Sequence, residues 1–146
     1  MNITAFDLAQ RFIGIKEVPG SVSNPQILSM LRLDDVWPAG DETPWCSAFV
    51  NYICWLLKVL PRSHSLSARS WLKVGESIPI EQARVGYDIV ILSRPPSPES
   101  GHVGFYAGFE QPDRVMMLGG NQRDGVCVSP FDAGRIIGVR RLYADK

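Results

Sequence analysis

The run CSAFVNYICWLL, from Cys46 to Leu57, has apolar residues on nearly every side of a helical wheel. Phe49, Val50, Ile53, Leu56 and Leu57, continued by Leu60, leave hardly any polar face. A helix of that kind is stable only when other elements enclose it. The run is therefore read as a buried central helix that extends to about Val59 and is closed by Pro61. The fold must wrap it.

The flanking sequence says what does the wrapping. Upstream, Phe6, Ala9, Phe12 and Ile13 recur at helical spacing after Thr4, a candidate N-cap, and Gly14 supplies a stop. Asn24 can cap a short helix with Pro25 at its first position and Ile27, Leu28 and Leu31 on its apolar face. SLSARSWLKVG reads as one more short helix, capped by Ser65 or Ser67 and stopped by Gly75. The second half changes character. DIVILS, HVGFYAGF, RVMMLGG, VCVSP and IIGVRRL are short β-rich runs separated by Pro, Gly, Asp and Asn. RPPSPES, Arg94 to Ser100, reads as an exposed loop. Helices first and a meander of strands afterwards is an α+β order, with the central helix packed on an antiparallel sheet of about five strands.

A chain of 146 residues suits one domain, taken as 1–146, with its own core. Hydrophobic residues at 45% exclude a disordered chain. Fifteen basic and fifteen acidic residues balance, so no overall field draws it to nucleic acid or anionic lipid. A monomer is expected. YICWLL is far shorter than the roughly 20 residues of a membrane span. The N-terminus, with Asp7 and Arg11 inside its apolar pattern, lacks the features of a secretory signal, so synthesis in the cytoplasm is expected. Three cysteines fit a reduced compartment better than a disulfide framework.

Those cysteines are not equivalent. Cys54 lies eight residues beyond Cys46 on one helix, about 12 Å along the axis, so the two cannot bridge. Cys54 and Cys127 read as small buried hydrophobes. Cys46, just after Pro44 and Trp45, stands at the helix start, where free N–H groups and the positive dipole end lower a thiol pKa. Position alone leaves a reactive and a structural role open. Of two histidines, His64 occupies a polar loop and reads as a bystander. His102 opens a strand and shares a face with Gly104 and Tyr106, and Gly104 would leave space over the imidazole. A satisfied core histidine is the alternative. Asn121 ends the strand expected to pair with that of His102 through a hairpin around Gln111 and Pro112. It could orient the ring, although Asn is also an ordinary turn residue. Metal binding lacks a ligand set, and a phosphate loop lacks its lysine and spacing.

In this order, PWCSAFVN, ARSWL, GHVGFYAG and LGGNQ resemble the CHAP/NlpC-like cysteine amidohydrolases that cut bacterial peptidoglycan, notably small single-domain members of phage lysis modules and bacterial genomes. The resemblance runs from GIKEVPGSVSNPQI to IIGVRRL. It implies a papain-like fold, Cys46 as nucleophile, His102 as general base and Asn121 as the polar third member. It further implies a stem-peptide or sugar–peptide amide as substrate, a thioester intermediate and no cofactor. Many CHAP domains carry a Glu two residues before the Asn, where this chain has Gly119, and the usual PGD turn is here VGYD, Val85 to Asp88. Glu17, Asp41 and Glu42 resemble polar residues bordering such clefts, although solvated loop acids is their plainer reading; Trp45 and Gly104 complete the candidate cleft. Calcium in LDDVWPAGDE is set aside because regularly spaced oxygen ligands are missing. Action on the wall after release or injection is expected, with an immunity protein as partner in the injected case. A protein-directed cysteine protease and an idle structural member of a phage particle are the competing classes.

Overall fold

The computed structural model describes residues 3–18, 24–34, 44–58 and 60–142. Helices and strands separate where the periodicity of the sequence changes. Helix α1 (Ala5–Ala9) starts at Thr4 in a capping box: Thr4 Oγ1 accepts the Asp7 N–H at 3.0 Å, and Asp7 Oδ2 accepts the Thr4 N–H at 3.1 Å. Helix α2 (Pro25–Leu31) has Pro25 at its first position, and Asn24 Oδ1 accepts the Gln26 N–H at 2.9 Å. The amide of Asn24 also donates to Lys16 O at 2.7 Å, tying the helix to the preceding segment. Helix α3 (Cys46–Leu57) begins at the cysteine itself. It ends before Pro61, at left-handed Lys58 (φ 60°), whose N–H bonds the carbonyls of Cys54 and Trp55.

Strands β1 (Glu76–Ser77), β2 (Asp88–Arg94), β3 (Ser97–Gln111), β4 (Arg114–Gln122), β5 (Gly125–Asp132) and β6 (Ile136–Arg141) form one antiparallel sheet in the order β1-β6-β2-β3-β4-β5. The architecture is the expected α+β one, with short β1 as a sixth strand. RPPSPES is not a loop: Arg94 pairs with Ser97 across a tight Pro95–Pro96 turn, and β3 has already begun at Ser97. The β3–β4 hairpin turns at Pro112 and Asp113, where it was expected, with Gln111 opposite Arg114. The β4–β5 hairpin turns through Arg123 and Asp124, both at positive φ (51° and 59°), between paired Gln122 and Gly125. Two positive φ angles in a two-residue loop match the right-handed twist of the strands.

The sheet buries both faces. On one, Ile89, Ile91, Val103, Phe105, Leu118 and Val126 meet Phe49, Val50 and Ile53 of α3. On the other, Val90, Leu92, Tyr106, Val115, Met117 and Val139 are covered by Ile78, Ile80, Ala83, Phe131 and Ile136. Helix α3 is enclosed over its first two turns, while Trp55 and Leu56 near its far end reach solvent. SLSARSWLKVG condenses to a 3₁₀ helix, Ala68–Lys73, locked against α3 by polar bonds. Trp71 Nε1 donates to Ser47 Oγ at 2.8 Å, and Ser47 Oγ donates to Ser65 O at 2.6 Å. Those bonds hold the residue next to Cys46.

Candidate active site

Cys46 is held from both sides in sequence. Trp45 precedes it as the N-cap residue, fully buried, its indole N–H donating 2.7 Å to Glu17 Oε1. Gly120 makes room for that ring, since a Cβ there would lie 2.6 Å from Trp45 Cζ3. Trp45, fully buried, packs inside the fold and lines no cleft, and half-buried Glu17 accepts its N–H at the helix start. The correction has a simple cause: Trp45 packs beneath the sheet and its N–H needs a buried acceptor.

The thiol itself is 4% exposed. Burial pushes its pKa up, while N–H groups of Val103, Ser47 and Cys46 and the positive charge of Arg94 pull the other way. Burial wins, so the helix start moderates the thiol without making it a thiolate at rest. Val103, the residue after His102, faces the thiol with its N–H, and side chains alternate along β3, so the imidazole itself lies on the other face of the sheet, with Leu92 and Phe131.

His102 is 2% exposed and pairs with Leu92 across the sheet. Its ring tilts 30° against Phe131, with centroids 5.0 Å apart. Burial holds the imidazole down to about 4; the hydrogen bond it donates to Gln122 works against this, and the charges of Arg94 and Arg135 add to it. The ring is therefore neutral at pH 7. Nδ1 is buried and has no hydrogen-bond partner among the described residues, the thiol of Cys46 included. At rest Cys46 is a thiol and His102 a neutral imidazole.

Gln122, and not Asn121, stands against the ring. Its Oε1 lies 2.9 Å from His102 Nε2. Its amide nitrogen donates to Met117 O at 3.1 Å and Cys127 O at 2.7 Å, so both amide hydrogens are spent. The oxygen must face the imidazole, Nε2 must carry the proton, and Nδ1 is left with a free lone pair. The expectation for Asn121 fails because the strand is irregular there. Asn121 is left-handed (φ 58°), and the β4–β5 register shifts between Gly119 and Gln122. This bulge changes the alternation of side chains and delivers the next residue to the histidine. Gly119 is part of the device, since a Cβ there would lie 2.5 Å from Gln122 Oε1. Gly104 leaves no open space over the ring: a Cβ would meet Leu118 O at 3.1 Å, Met117 Cε at 3.2 Å and Gln122 Oε1 at 3.5 Å. A sequence signal for Gln122 existed in the NQRDG turn, whose length decides which residue leaves the strand on the histidine face.

Asp41, Glu42 and most of the acidic loop considered for calcium lie outside the described residues. Among the described residues no cluster of three metal-ligating side chains occurs. Cys54 is fully buried, with its thiol pushed up to about 12 by burial. Cys127 is half-buried, and its sulfur contacts Gln122 O and Ser129 Oγ at 3.4 and 3.2 Å, so it is more polar in setting than expected. The His64 side chain is largely exposed beside Asp34 and Arg62, remote from His102 in the fold.

A buried thiol at a helix start against a histidine-bearing strand, on a sheet backed by helices, is the plan of papain-like cysteine peptidases. No protein-family model matches the sequence, and no curated protein is significantly similar to it. Solved structures are. The P60 domain of antigen MAP1204 from M. avium subspecies paratuberculosis superposes over 94% of both chains at 21% identity, with a TM-score of 0.58. Rv1477, a hypothetical invasion protein of Mycobacterium tuberculosis, matches 95% of this chain at 20% identity and a TM-score of 0.58. NlpC1 from Trichomonas vaginalis matches 97% of it at 16% identity and a TM-score of 0.57. The chain spans 44% of NlpC1 and 60% of the Rv1477 chain. The fold is the NlpC/P60 variant of the papain-like fold.

Proposed function

We propose that this protein is a cysteine amidohydrolase acting on the peptide part of bacterial peptidoglycan. The observation that carries the reading is the place of Cys46, buried at the start of α3 with its thiol at the N–H of Val103, the residue that follows His102 on β3. Motifs resembling wall hydrolases, on an NlpC/P60 fold, support peptidoglycan as the substrate class.

In this reading His102 takes the proton of Cys46 as Sγ attacks the amide carbonyl, and the carbonyl π pair moves to oxygen. In this reading N–H groups at the start of α3 hold that oxyanion. Collapse of the tetrahedral intermediate breaks the C–N bond, and the imidazolium protonates the leaving amine. Water then adds to the thioester with His102 again as base, which releases the acid and restores the thiol. No step calls on a cofactor. The cleaved bond is a sugar–peptide or stem-peptide amide, reached after release or injection, and injection would require an immunity protein in the producing cell.

Purified sacculi incubated with the wild type and with Cys46→Ala provide the test, read by turbidity and by mass analysis of released fragments. Clearing by the wild type alone, with a new amine at one defined bond, is expected. Intact sacculi together with degraded casein would make the enzyme a protein-directed protease instead.

A further inference from the structure

Helix α3 buries two polar side chains in an otherwise apolar wheel, Ser47 and Asn51. Residues four apart share a helix face, and this polar stripe meets the segment 63–65. Asn51 engages that segment with its whole amide. Its Oδ1 accepts the N–H of Ser63 at 3.1 Å and that of His64 at 3.2 Å. Its Nδ2 donates to Ser65 O at 3.1 Å and to Ser63 Oγ at 3.2 Å. Ser65 O also accepts the hydroxyl of Ser47 at 2.6 Å, and Ser47 Oγ accepts the indole N–H of Trp71 at 2.8 Å. A longer bond, 3.4 Å from Asn51 Nδ2 to Ser47 Oγ, closes the ring.

The amide has one possible orientation. With two backbone N–H groups on its oxygen, its nitrogen must face Ser65 O. His64 is left-handed at φ 56°, a conformation that a residue other than glycine keeps only where its surroundings impose it. On the other side Arg62 pairs with Asp34, just beyond α2. The segment is therefore pinned by α3 and by the end of α2 together.

Polar groups buried in a core helix carry a desolvation cost that apolar side chains do not. Packing alone does not call for them. A satisfied polar network supplies something else, a single arrangement of the parts it joins. Here it joins the segment 63–65 to the first turn of α3. Ser47 follows Cys46 directly, and the N–H groups of both residues lie at the thiol. Any rotation of that turn carries the sulfur with it.

We propose that Asn51 is a positioning residue: it fixes the segment 63–65, whose Ser65 carbonyl holds Ser47, and so sets the direction from which Cys46 meets its substrate. The proposal rests on the reading of Cys46 as nucleophile and adds a side chain five residues along the helix, about 7.5 Å along its axis.

Asn51→Leu roughly keeps the size of the side chain and removes both halves of the amide. Circular dichroism and urea unfolding give the folded fraction, so activity can be expressed per folded molecule. On sacculi, kcat should fall about 10- to 100-fold, with KM within about twofold of the wild type. Ser47→Ala should behave in the same way. The double variant should be no worse than the more impaired single one, because both act through one network. A purely structural role would lower the urea midpoint and leave kcat per folded molecule unchanged, and that result overturns the proposal. Losses that multiply in the double variant overturn it too.

A second measurement needs no wall substrate. Among the described residues, the side-chain bonds of Asn51 run only to Ser47 and to 63–65. In amide spectra of isotope-labelled protein, the signals of Cys46 and of Val103, whose N–H lies at the thiol, should nevertheless move in Asn51→Leu. Signals that stay in place overturn the positioning role. Should Asn51→Leu fail to fold, Ser47→Ala and Trp71→Phe, which removes the donor to Ser47, decide by the same measurements. Sacculi left intact by the wild type would strike the wall reading, and the amide signals would then decide the role of Asn51 on their own.

Discussion

Gln122 Oε1 sits 2.9 Å from Nε2 of His102, twenty residues away in sequence, and the same amide spans Met117 O and Cys127 O. The side chain acts as a fixed bracket that reads both strands of the β4–β5 hairpin and sets the proton on the ring. Gln122→Ala should lower turnover about 10- to 10³-fold, since orientation contributes part of general-base catalysis. Gln122→Glu should not rescue it, because a carboxylate cannot donate to the two carbonyls. Asn121→Gly should stay near wild type, as glycine adopts the left-handed conformation readily. Steady-state kinetics on sacculi distinguishes the two positions, and an inactive Asn121→Gly beside an active Gln122→Ala would return the role to Asn121.

Gly119 gives an independent check on the same bracket. A methyl group there would lie 2.5 Å from Gln122 Oε1, so Gly119→Ala must push the amide off the histidine. Its turnover should fall towards that of Gln122→Ala, while far-ultraviolet circular dichroism stays that of the wild type. Full activity in Gly119→Ala would mean that the amide position is not needed.

The cysteines should separate cleanly. Cys46→Ala should abolish hydrolysis with little change in folding. Cys54, fully buried with its thiol pushed up to about 12, should resist alkylation in the folded protein, and Cys54→Ala should cost about 1–3 kcal/mol with activity per folded molecule retained. Mass mapping after alkylation, with urea unfolding of each variant, checks both.

His102 makes stability depend on pH. Its folded pKa, about 4, lies below the unfolded value near 6.5, so between those values the unfolded chain binds more protons. The contribution is complete above about pH 6.5 and is lost as pH falls towards 4, a difference of about 3 kcal/mol. His102→Gln should flatten this part of the urea-midpoint curve between pH 7 and 4. The acid limb of kcat/KM should likewise fall well below the ordinary histidine range. An unchanged stability slope in His102→Gln would place the effect on other groups.

Glu17 belongs to the helix anchor. Glu17→Ala leaves the fully buried indole N–H of Trp45 without the acceptor at 2.7 Å, which should cost about 1–3 kcal/mol. Urea unfolding followed by tryptophan fluorescence measures the loss. Activity per folded molecule should be retained, and a catalytic defect at full stability would move Glu17 into the cleft.

Local pattern was enough for much of this protein. The caps at Thr4 and Asn24, the helix beginning at Cys46 and the hairpin that pairs the His102 and Asn121 strands all follow from neighbours within a few residues, where backbone geometry is set by sterics and capping bonds. Tertiary structure alone decided what lies across the site. One left-handed residue at Asn121 changes the side-chain alternation and exchanges Asn121 for Gln122, a difference that strand periodicity does not carry. Trp45 and Glu17 meet over 28 residues, and Arg69 and Ser100 over 31, because the sheet order brings their segments together. Burial then decides the charge of Cys46 and His102: the helix start favours a thiolate, but desolvation by the packed sheet outweighs it, and the same burial keeps the imidazole neutral.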